Sequence, residues 1–354
     1  MTTGTSNREQ WNPLKVGKAF ALQGARNLGI YSVMKRSEWR RRQLLILAYH
    51  GISQLDEHKW RPSLYMSPDL FASRLTTLSQ SGCNVLPLGE ALLRLKQGTL
   101  PPQSVVLTFD DGYFNFYQYA YPILKRFNYP ATVYQTTYYV NVRNPIFHLV
   151  TSYLLWKSPR KTLDAKPLIG TTRHWDLSTQ ENIASANFDL WKFAKSAGMC
   201  IEERQQLVER LADFVGVDYA EISSRRMFEL MTKAELSQMV GGGMDFQLHT
   251  HRHRVPTSKE LLLKEFEDNK QVLAEIGQPD AVHFAYPSGV YRPELFPWLS
   301  EFGVLSATSC ESGLASRESN LVCLPRFVDT SQTSPLEFEA WLCGIRRLLP
   351  RRSK

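Results

Sequence analysis

Cysteine pairs and long apolar runs are both missing from this 354-residue sequence. Its five cysteines are scattered and never form a Cys-x-x-Cys pair. This argues against a disulfide framework and a cysteine-ligated zinc site, and it favours a reducing compartment. No run approaches the ~18 apolar residues of a membrane span. The amino-terminus also lacks the features of a signal peptide, so a cytoplasmic protein is expected.

The body of the chain has no net positive charge, although the net charge of the whole sequence is +8. Residues 1–43 carry nine Lys or Arg against two acids, and residues 346–354 carry five Lys or Arg and no acid. The remainder is slightly acidic and has no basic groove interleaved with aromatics, so nucleic acid is not an expected partner. The basic ends are either solvated or in peripheral contact with an anionic membrane, such as the inner membrane surface.

Short apolar runs alternate with helical patterns along most of the chain. This alternation predicts an α/β fold with parallel strands, whose carboxyl ends gather the catalytic groups. The predicted strands are Leu44–Tyr49, Val105–Phe109, Ala131–Gln135, Met244–Leu248, Val282–Tyr286, Val304–Thr308 and Val322–Val328. Helical patterns between them include Pro68–Ser81, Tyr119–Phe127 and Lys259–Ile276.

Three segments depart from this alternation. Residues 1–43 form a basic amphipathic segment, which either lies on a membrane or packs on the main domain. That domain covers residues 44–340. Within it, residues 141–232 show helical patterns and no convincing strand, which predicts a mostly helical insertion that caps the site. Residues 341–354 are predicted to be a basic tail.

The first motif with chemical content is Asp110-Asp111-Gly112, which directly follows the strand Val105–Phe109. Two adjacent carboxylates repel each other, and one pKa rises unless a cation offsets the repulsion. A divalent metal would take one carboxylate as a ligand and leave the other as a base. The alternative is an ordinary Asp-Asp-Gly turn between a strand and a helix.

The second motif contains His249, His251 and His253, after another apolar strand. Residues four apart share one face of a helical turn, so His249 and His253 are predicted to point the same way. Two imidazoles and one carboxylate form an open ligand set for a catalytic zinc or a related metal. His251 would point elsewhere. The alternative is a surface cluster of polar residues.

Two further strand ends carry weaker signals. Phe284–Gly289 contains a Pro-x-Gly turn, whose backbone amides can bind a developing oxyanion but which can equally be a simple turn. His50 follows the strand Leu44–Tyr49, where a lone histidine is usually structural.

Together these motifs resemble those of the NodB-homology polysaccharide deacetylases. Thr108–Gly112 resembles the first motif, His249–His253 the second, and Phe284–Pro287 the third motif of a sub-branch with an amino-terminal Tyr-His pair. The resemblance covers about residues 44–140 and 230–330. It implies a distorted (β/α) barrel, here with a mostly helical insertion. It also implies a metal-dependent hydrolase that removes N-acetyl groups from an amino-sugar-containing glycan or glycolipid, as in exopolysaccharide biosynthesis.

The resemblance also implies roles for single residues. Asp110 would be the general base. Asp111, His249 and His253 would hold one divalent metal, Zn²⁺ or alternatively Co²⁺, Ni²⁺ or Mn²⁺. The backbone amide of Ser288 would lie near the oxyanion, and Tyr286 would be a second oxyanion- or substrate-binding residue.

Two family features are missing. No histidine follows His283, so the usual late histidine that protonates the leaving amine has no counterpart. The Tyr49-His50 pair fits a permuted arrangement, which makes His50 the candidate acid. The third motif lacks the arginine that orients the base, and Arg326 would replace it unless it forms a purely structural ion pair.

These departures leave two rival functions open. One is a catalytically inactive sugar-binding or scaffold protein on the same barrel, and the other is an amidase acting on a non-sugar amide. The intact Asp110, Asp111, His249 and His253 favour catalysis. The expected partner is an N-acetylated glycan or a lipid-linked sugar.

Overall fold

A curled parallel sheet forms the centre of the computed structural model, which describes residues 13–140 and 142–345. The strands are β1 (Leu45–Tyr49), β2 (Gly51–Ile52), β3 (Tyr65–Met66), β4 (Asn84–Val85), β5 (Ser104–Phe109), β6 (Thr132–Gln135), β7 (Thr162–Asp164), β8 (His174–Asp176), β9 (Asp245–Leu248), β10 (His283–Ala285), β11 (Ser306–Thr308) and β12 (Phe327–Val328). The sheet has the order β11-β10-β9-β6-β5-β1-β12, and β4 also pairs with β5.

Helices cover the sheet and form the two additions to it. They are α1 (Pro13–Asn27), α2 (Ile30–Arg36), α3 (Glu38–Arg41), α4 (Glu57–Trp60), α5 (Pro68–Gln80), α6 (Leu88–Gln97), α7 (Tyr121–Phe127), α8 (Phe147–Lys157), α9 (Lys166–Ile169), α10 (Gln180–Ser196), α11 (Ile201–Val215), α12 (Tyr219–Ser224), α13 (Lys233–Gly241), α14 (Lys259–Glu275), α15 (Phe296–Glu301) and α16 (Pro335–Cys343). Short 3₁₀ turns occur at Pro287–Gly289, Pro293–Leu295 and Leu321–Cys323, and a π-helical turn at Phe116–Ala120 precedes α7.

The predicted α/β fold and the first six predicted strands are confirmed. Strands β1 and β5 are buried on both faces and pair in parallel from Leu45–Val105 to Tyr49–Phe109. Strands covered on both sides read as continuous apolar runs, which is why their sequences were recognisable. The two-residue strand β4 was too short to be predicted.

The seventh predicted strand, Val322–Val328, is broken in the structure. Leu324 forms a parallel bridge with Thr308 of β11, whereas Phe327 pairs with Leu47 of β1. Pro325 has no backbone N–H and cannot continue one ladder through this point. The segment from 324 to 328 therefore contacts both edges of the sheet and closes it into a distorted barrel, with Arg326 between the two pairings.

The insertion is mostly helical, as predicted, with α8 to α12 in place. The prediction of no strand was wrong, because β7 and β8 form a short antiparallel pair. Helix α8 contributes Tyr153 to an apolar cluster that also contains Trp60 of α4, Tyr65 of β3 and Tyr113, which follows β5. The core of the insertion is therefore continuous with the loop that follows Asp111.

The amino-terminal helices pack against the last helix. Leu22 of α1 and Tyr31 of α2 form an apolar cluster with Ala340, Cys343 and Ile345. Residues 341–345 of the predicted tail are therefore mostly the buried end of α16, and residues 346–354 lie outside the described residues. Within residues 13–140 and 142–345, no helix is long and apolar enough to cross a membrane.

Candidate metal centre and active site

The motif residues follow the carboxyl ends of neighbouring strands. Asp110 and Asp111 follow β5, His249 follows β9, and His50 follows β1. Parallel strands end at the same edge of a sheet, so these side chains meet there.

Asp111, His249 and His253 form a possible metal site. Their ligand atoms lie within 4.8 Å of one another. Asp111 Oδ1 is 3.3 Å from Nε2 of His249 and 3.1 Å from Nε2 of His253, and it is buried without a hydrogen-bond partner. Burial alone would raise the pKa of Asp111, but the two imidazoles, when they are protonated, hold that pKa well below its usual range.

The tautomer of His249 shows that this site suits a cation. Its Nδ1 lies 2.8 Å from the Ala285 carbonyl oxygen, which can only accept a hydrogen bond. Nδ1 must therefore carry the hydrogen, so that in the neutral ring the lone pair of Nε2 faces the lone pairs of Asp111. A divalent metal bound by these atoms would remove the repulsion between the two sets of lone pairs. In metal-bound histidines the other ring nitrogen typically donates a hydrogen bond, as Nδ1 of His249 does to Ala285. The donor set fits a metal.

The predicted helical turn at His249–His253 is wrong. The segment is an irregular bend in which Thr250 (φ 61°) and His253 (φ 53°) adopt left-handed conformations. These two residues, rather than helical periodicity, bring both imidazoles to Asp111. His251 points elsewhere, as predicted, and its Nδ1 lies 2.9 Å from the Thr137 hydroxyl.

Two buried side chains of α14 hold this bend, and sequence reasoning missed both. Asn269 accepts a hydrogen bond from the His249 amide at 3.0 Å. Glu265 accepts one from the Arg252 amide at 2.7 Å and pairs with the side chain of Arg254. A signal was present, because Asn269 lies in the apolar stripe of α14 together with Leu262, Phe266 and Leu273.

Asp111 itself has an unusual backbone conformation, with φ 72°, and is followed by Gly112 with φ 80°. A Cβ atom on Gly112 would lie 2.0 Å from the Gln135 side chain, so only glycine fits there. Gln135 Nε2 and the Thr136 amide both donate to the Asp111 carbonyl oxygen, at 3.4 and 3.3 Å. The end of β6 thus fixes the loop that presents the metal ligand.

Asp110 pairs with Arg326 in the interior. The guanidinium donates two parallel hydrogen bonds to the carboxylate, at 2.7 and 2.8 Å, and Arg326 Nε donates to the Ser309 carbonyl at 3.0 Å. Burial would raise the pKa of Asp110, but the guanidinium outweighs it and lowers that pKa. His50 Nε2 lies 3.7 Å from Asp110 Oδ2, so the structure brings all three predicted residues together.

The third motif borders the metal site through the contact between Ala285 and His249. Ser288 is exposed in the turn Pro287–Gly289, with φ 57°. The side chain of Tyr286 does not reach the metal ligands. It is buried, and its hydroxyl donates to the Val322 carbonyl at 2.8 Å, which ties this turn to the segment leading to Arg326.

A cavity of about 240 Å³ lies beside Asp111 and His253. The barrel contributes Tyr113, Thr136 and Arg252 to its wall, and the segment that enters and leaves the insertion contributes Tyr139, Ile146, His148 and Leu230. The insertion therefore forms one side of the site. Desolvation lowers the pKa of His148 to about 4, so its imidazole is neutral at pH 7. No sequence motif indicated His148, because only the packing of α8 brings it to the site.

The chain belongs to the polysaccharide deacetylase family, whose sequence model matches residues 97–306. Two curated relatives are similar over shorter stretches. YxkH of Bacillus subtilis is 39% identical over 93 residues, which are 26% of this chain and 31% of that protein. The poly-β-1,6-N-acetyl-D-glucosamine N-deacetylase of Staphylococcus aureus is 30% identical over 124 residues, which are 32% of this chain and 42% of that protein. The chain thus matches less than half the length of either relative.

Solved structures share the fold. The Streptococcus pyogenes deacetylase PplD, in complex with acetate, superposes with a TM-score of 0.55 and 22% identity, over 83% of this chain and 96% of that one. IcaB from Ammonifex degensii superposes with a TM-score of 0.53 and 18% identity, over 85% and 97% of the two chains. At these identities the likeness supports the barrel alone, and the expected NodB-type fold is confirmed.

The metal assignment predicts different effects for two neighbouring histidines. His253→Ala removes one of three ligands and should abolish stoichiometric zinc binding, measured by elemental analysis after dialysis. His251→Ala is the matched control, since this ring contacts Thr137 instead of the cluster, and it should keep full metal content. Equal metal content in two folded variants would contradict the site.

Proposed function

We propose that this chain is a metal-dependent hydrolase that removes N-acetyl groups from an amino-sugar-containing glycan or glycolipid. The observation that carries the proposal is the open metal site formed by Asp111, His249 and His253. Beside it lies a second carboxylate, Asp110, which is paired with the guanidinium of Arg326. Membership of the polysaccharide deacetylase family supports this reaction class. The named activity of the staphylococcal relative supports an exopolysaccharide substrate.

The metal is proposed to be zinc, because two imidazoles and one carboxylate with open positions are typical of catalytic zinc. Co²⁺, Ni²⁺ and Mn²⁺ accept the same donors. When bound, such an ion polarises the acetamide carbonyl and lowers the pKa of water.

The remaining steps belong to side chains of this chain. Arg326 keeps Asp110 ionised and fixes its plane, so that Asp110 Oδ2, on the side of His50, accepts a proton from the attacking water. His50 then protonates the departing amine. The amide of Ser288, at the neighbouring strand end, donates to the developing oxyanion. Tyr286 contributes indirectly, by holding that turn.

Two observations favour catalysis over an inactive sugar-binding scaffold. Arg326 forms a bidentate pair with Asp110 although the third motif lacks its arginine. His50 lies beside Asp110 although the late histidine is missing. A scaffold would need neither contact. An amidase that acts on a non-sugar amide would use the same residues. Only assays with sugar and non-sugar substrates distinguish that function from the proposed one.

Acetate release tests the proposal. The zinc-loaded protein should release acetate from N-acetylated oligosaccharides or lipid-linked sugars. Asp110→Asn should lower turnover at least about 100-fold, because it removes the base, while zinc remains bound. Asp213→Asn, which changes an exposed acid of α11, is the control. If Asp110→Asn turns over as fast as the wild type, Asp110 is not the base. If no N-acetylated sugar yields acetate, the proposed function is wrong.

The candidate acid can be tested against another histidine. His50→Ala should lower kcat by roughly 10²–10⁴-fold, the usual contribution of general acid catalysis. His283→Ala should leave kcat near the wild-type value, since this residue begins β10 and its ring contacts Ser306, which begins β11. Thermal melting separates loss of fold from loss of chemistry. Near-normal turnover of His50→Ala would exclude the permuted arrangement.

We further propose that the amino-terminal helices make peripheral contact with an anionic membrane. Apolar side chains of α1, α2 and the turn between them point outward, with exposed fractions of 75% for Phe20, 79% for Leu28 and 69% for Val33. Next to them, Lys35 and Arg36 form no ion pair with any residue in the described part of the chain. Exposed apolar groups beside unpaired cations suit an acidic lipid surface, where each cation contributes about 1 kcal/mol.

Vesicle sedimentation tests this contact. The protein should bind vesicles that contain phosphatidylglycerol and should bind neutral phosphatidylcholine vesicles more weakly. The double variant Phe20→Ser/Val33→Ser should weaken binding at least about tenfold, because burial of two apolar side chains is lost. Phe188→Ser, on the exposed face of α10, is the control. Equal binding by all three proteins would rule out this surface.

A further inference from the structure

The ring of His50 is not held by its contact with Asp110. Its Nε2 atom lies 3.7 Å from Asp110 Oδ2, which is too long for a hydrogen bond and cannot fix the direction of the ring. The backbone on either side of the ring therefore sets where it points. That backbone runs from the end of β1, at Tyr49, directly into the two residues of β2, Gly51–Ile52.

Strand β3 holds one side of β2. The Gly51 amide donates to the Leu64 carbonyl at 3.1 Å, and the Ser53 amide donates to the Met66 carbonyl at 2.8 Å. Successive amides of an extended strand point to opposite sides, so the Ile52 amide, between these two, points away from β3. Ile52 is fully buried, and its amide needs a different acceptor.

Asn115 supplies that acceptor. Its Oδ1 accepts from the Ile52 amide at 3.2 Å, and the residue is only 4% exposed. A Cβ atom on Gly51 would lie 3.2 Å from Asn115 Nδ2, so the Asn115 side chain packs against both residues of β2. Asn115 precedes the π-helical turn Phe116–Ala120, but its side chain makes no capping bond to that turn. The side chain supports the neighbouring strand instead.

This contact joins the two loops that carry the proposed base and the proposed acid. Asn115 belongs to the loop after β5 that begins with Asp110, and Ile52 lies two residues after His50. One buried side chain therefore couples the position of the acid to that of the base. A displacement of about 1 Å in such a constellation can cost roughly 100-fold in rate.

We propose that Asn115 is a positioning residue, which holds His50 beside Asp110 through the amide of Ile52. Asn115 does not line the cavity beside the metal site, so it acts only through the turn that carries His50. This inference rests on the proposed deacetylase function, with His50 as its acid.

Kinetics of the zinc-loaded full chain test this role, with a β-1,6-linked oligomer of N-acetylglucosamine as the substrate. Asn115→Leu keeps the size of the side chain but removes the acceptor, and it should lower kcat about 10- to 100-fold. KM and zinc content should stay close to the wild-type values, because the cavity lining and the metal ligands are unchanged. Asn115→Asp retains an accepting oxygen and should recover most of the lost kcat.

The matched control is Asn84→Leu. Asn84 Nδ2 also joins two segments, since it donates to the Pro102 carbonyl at 2.6 Å. Asn84 pairs with Ser104 at the start of β5, however, and the active-site residues follow the end of that strand. This variant should leave kcat unchanged.

A double-variant cycle separates positioning from a general structural role. If Asn115 acts through His50, the variant His50→Ala/Asn115→Leu should have the kcat of His50→Ala alone, within about twofold. A structural role elsewhere would multiply the two losses. If Asn115→Leu melts below the assay temperature, Asn115→Ala replaces it in the cycle, since it also removes the acceptor.

Three results would overturn the positioning role. They are wild-type kcat in Asn115→Leu, an Asn115→Asp variant as slow as Asn115→Leu, and multiplied losses in the double variant. In each case the wild type still releases acetate, so the deacetylase function stands. Failure of the wild type to release acetate from any N-acetylated sugar would refute that function, and the positioning role with it.

Discussion

The side chain of Asn269 holds the ends of two strands together, and the metal centre depends on this contact. It accepts from the His249 amide and donates to the Gln135 carbonyl and the Thr137 hydroxyl, each at 3.0 Å, in a fully buried position. Gln135 in turn donates to the carbonyl oxygen of Asp111. One amide thus connects both sides of the metal site through the interior.

Such support is needed because the ligand loops are strained. Asp111, Thr250 and His253 all have positive φ although none is glycine. A residue held in such a conformation costs of order 1–3 kcal/mol and persists only where its surroundings fix it. The ends of β6 and α14 supply those surroundings. The geometry of the ligands is therefore held by the protein scaffold around them.

Much of the fold could be predicted from the sequence, because strands buried on both faces appear as apolar runs. The motif residues could be predicted because chemistry restricts their identity. The shape of the His249–His253 bend could not, since left-handed residues other than glycine leave no mark in the sequence. Asn269 and His148 reach the site only through contacts between elements that are distant in sequence. Arg326 became a candidate only through the family resemblance, and its contact with Asp110 needed the closed barrel.

The closing segment has a consequence for the order in which the site matures. Arg326 lies between a bridge to β11 and the pairing of β12 with β1. During synthesis, Asp110 leaves the ribosome more than two hundred residues before Arg326, the arginine that pairs with it. A nascent or truncated chain that lacks Arg326 therefore has an unpaired carboxylate where the complete barrel has an oriented base. Catalytic activity would therefore require that the barrel is closed completely. A partly folded intermediate without the closing segment would lack the oriented base.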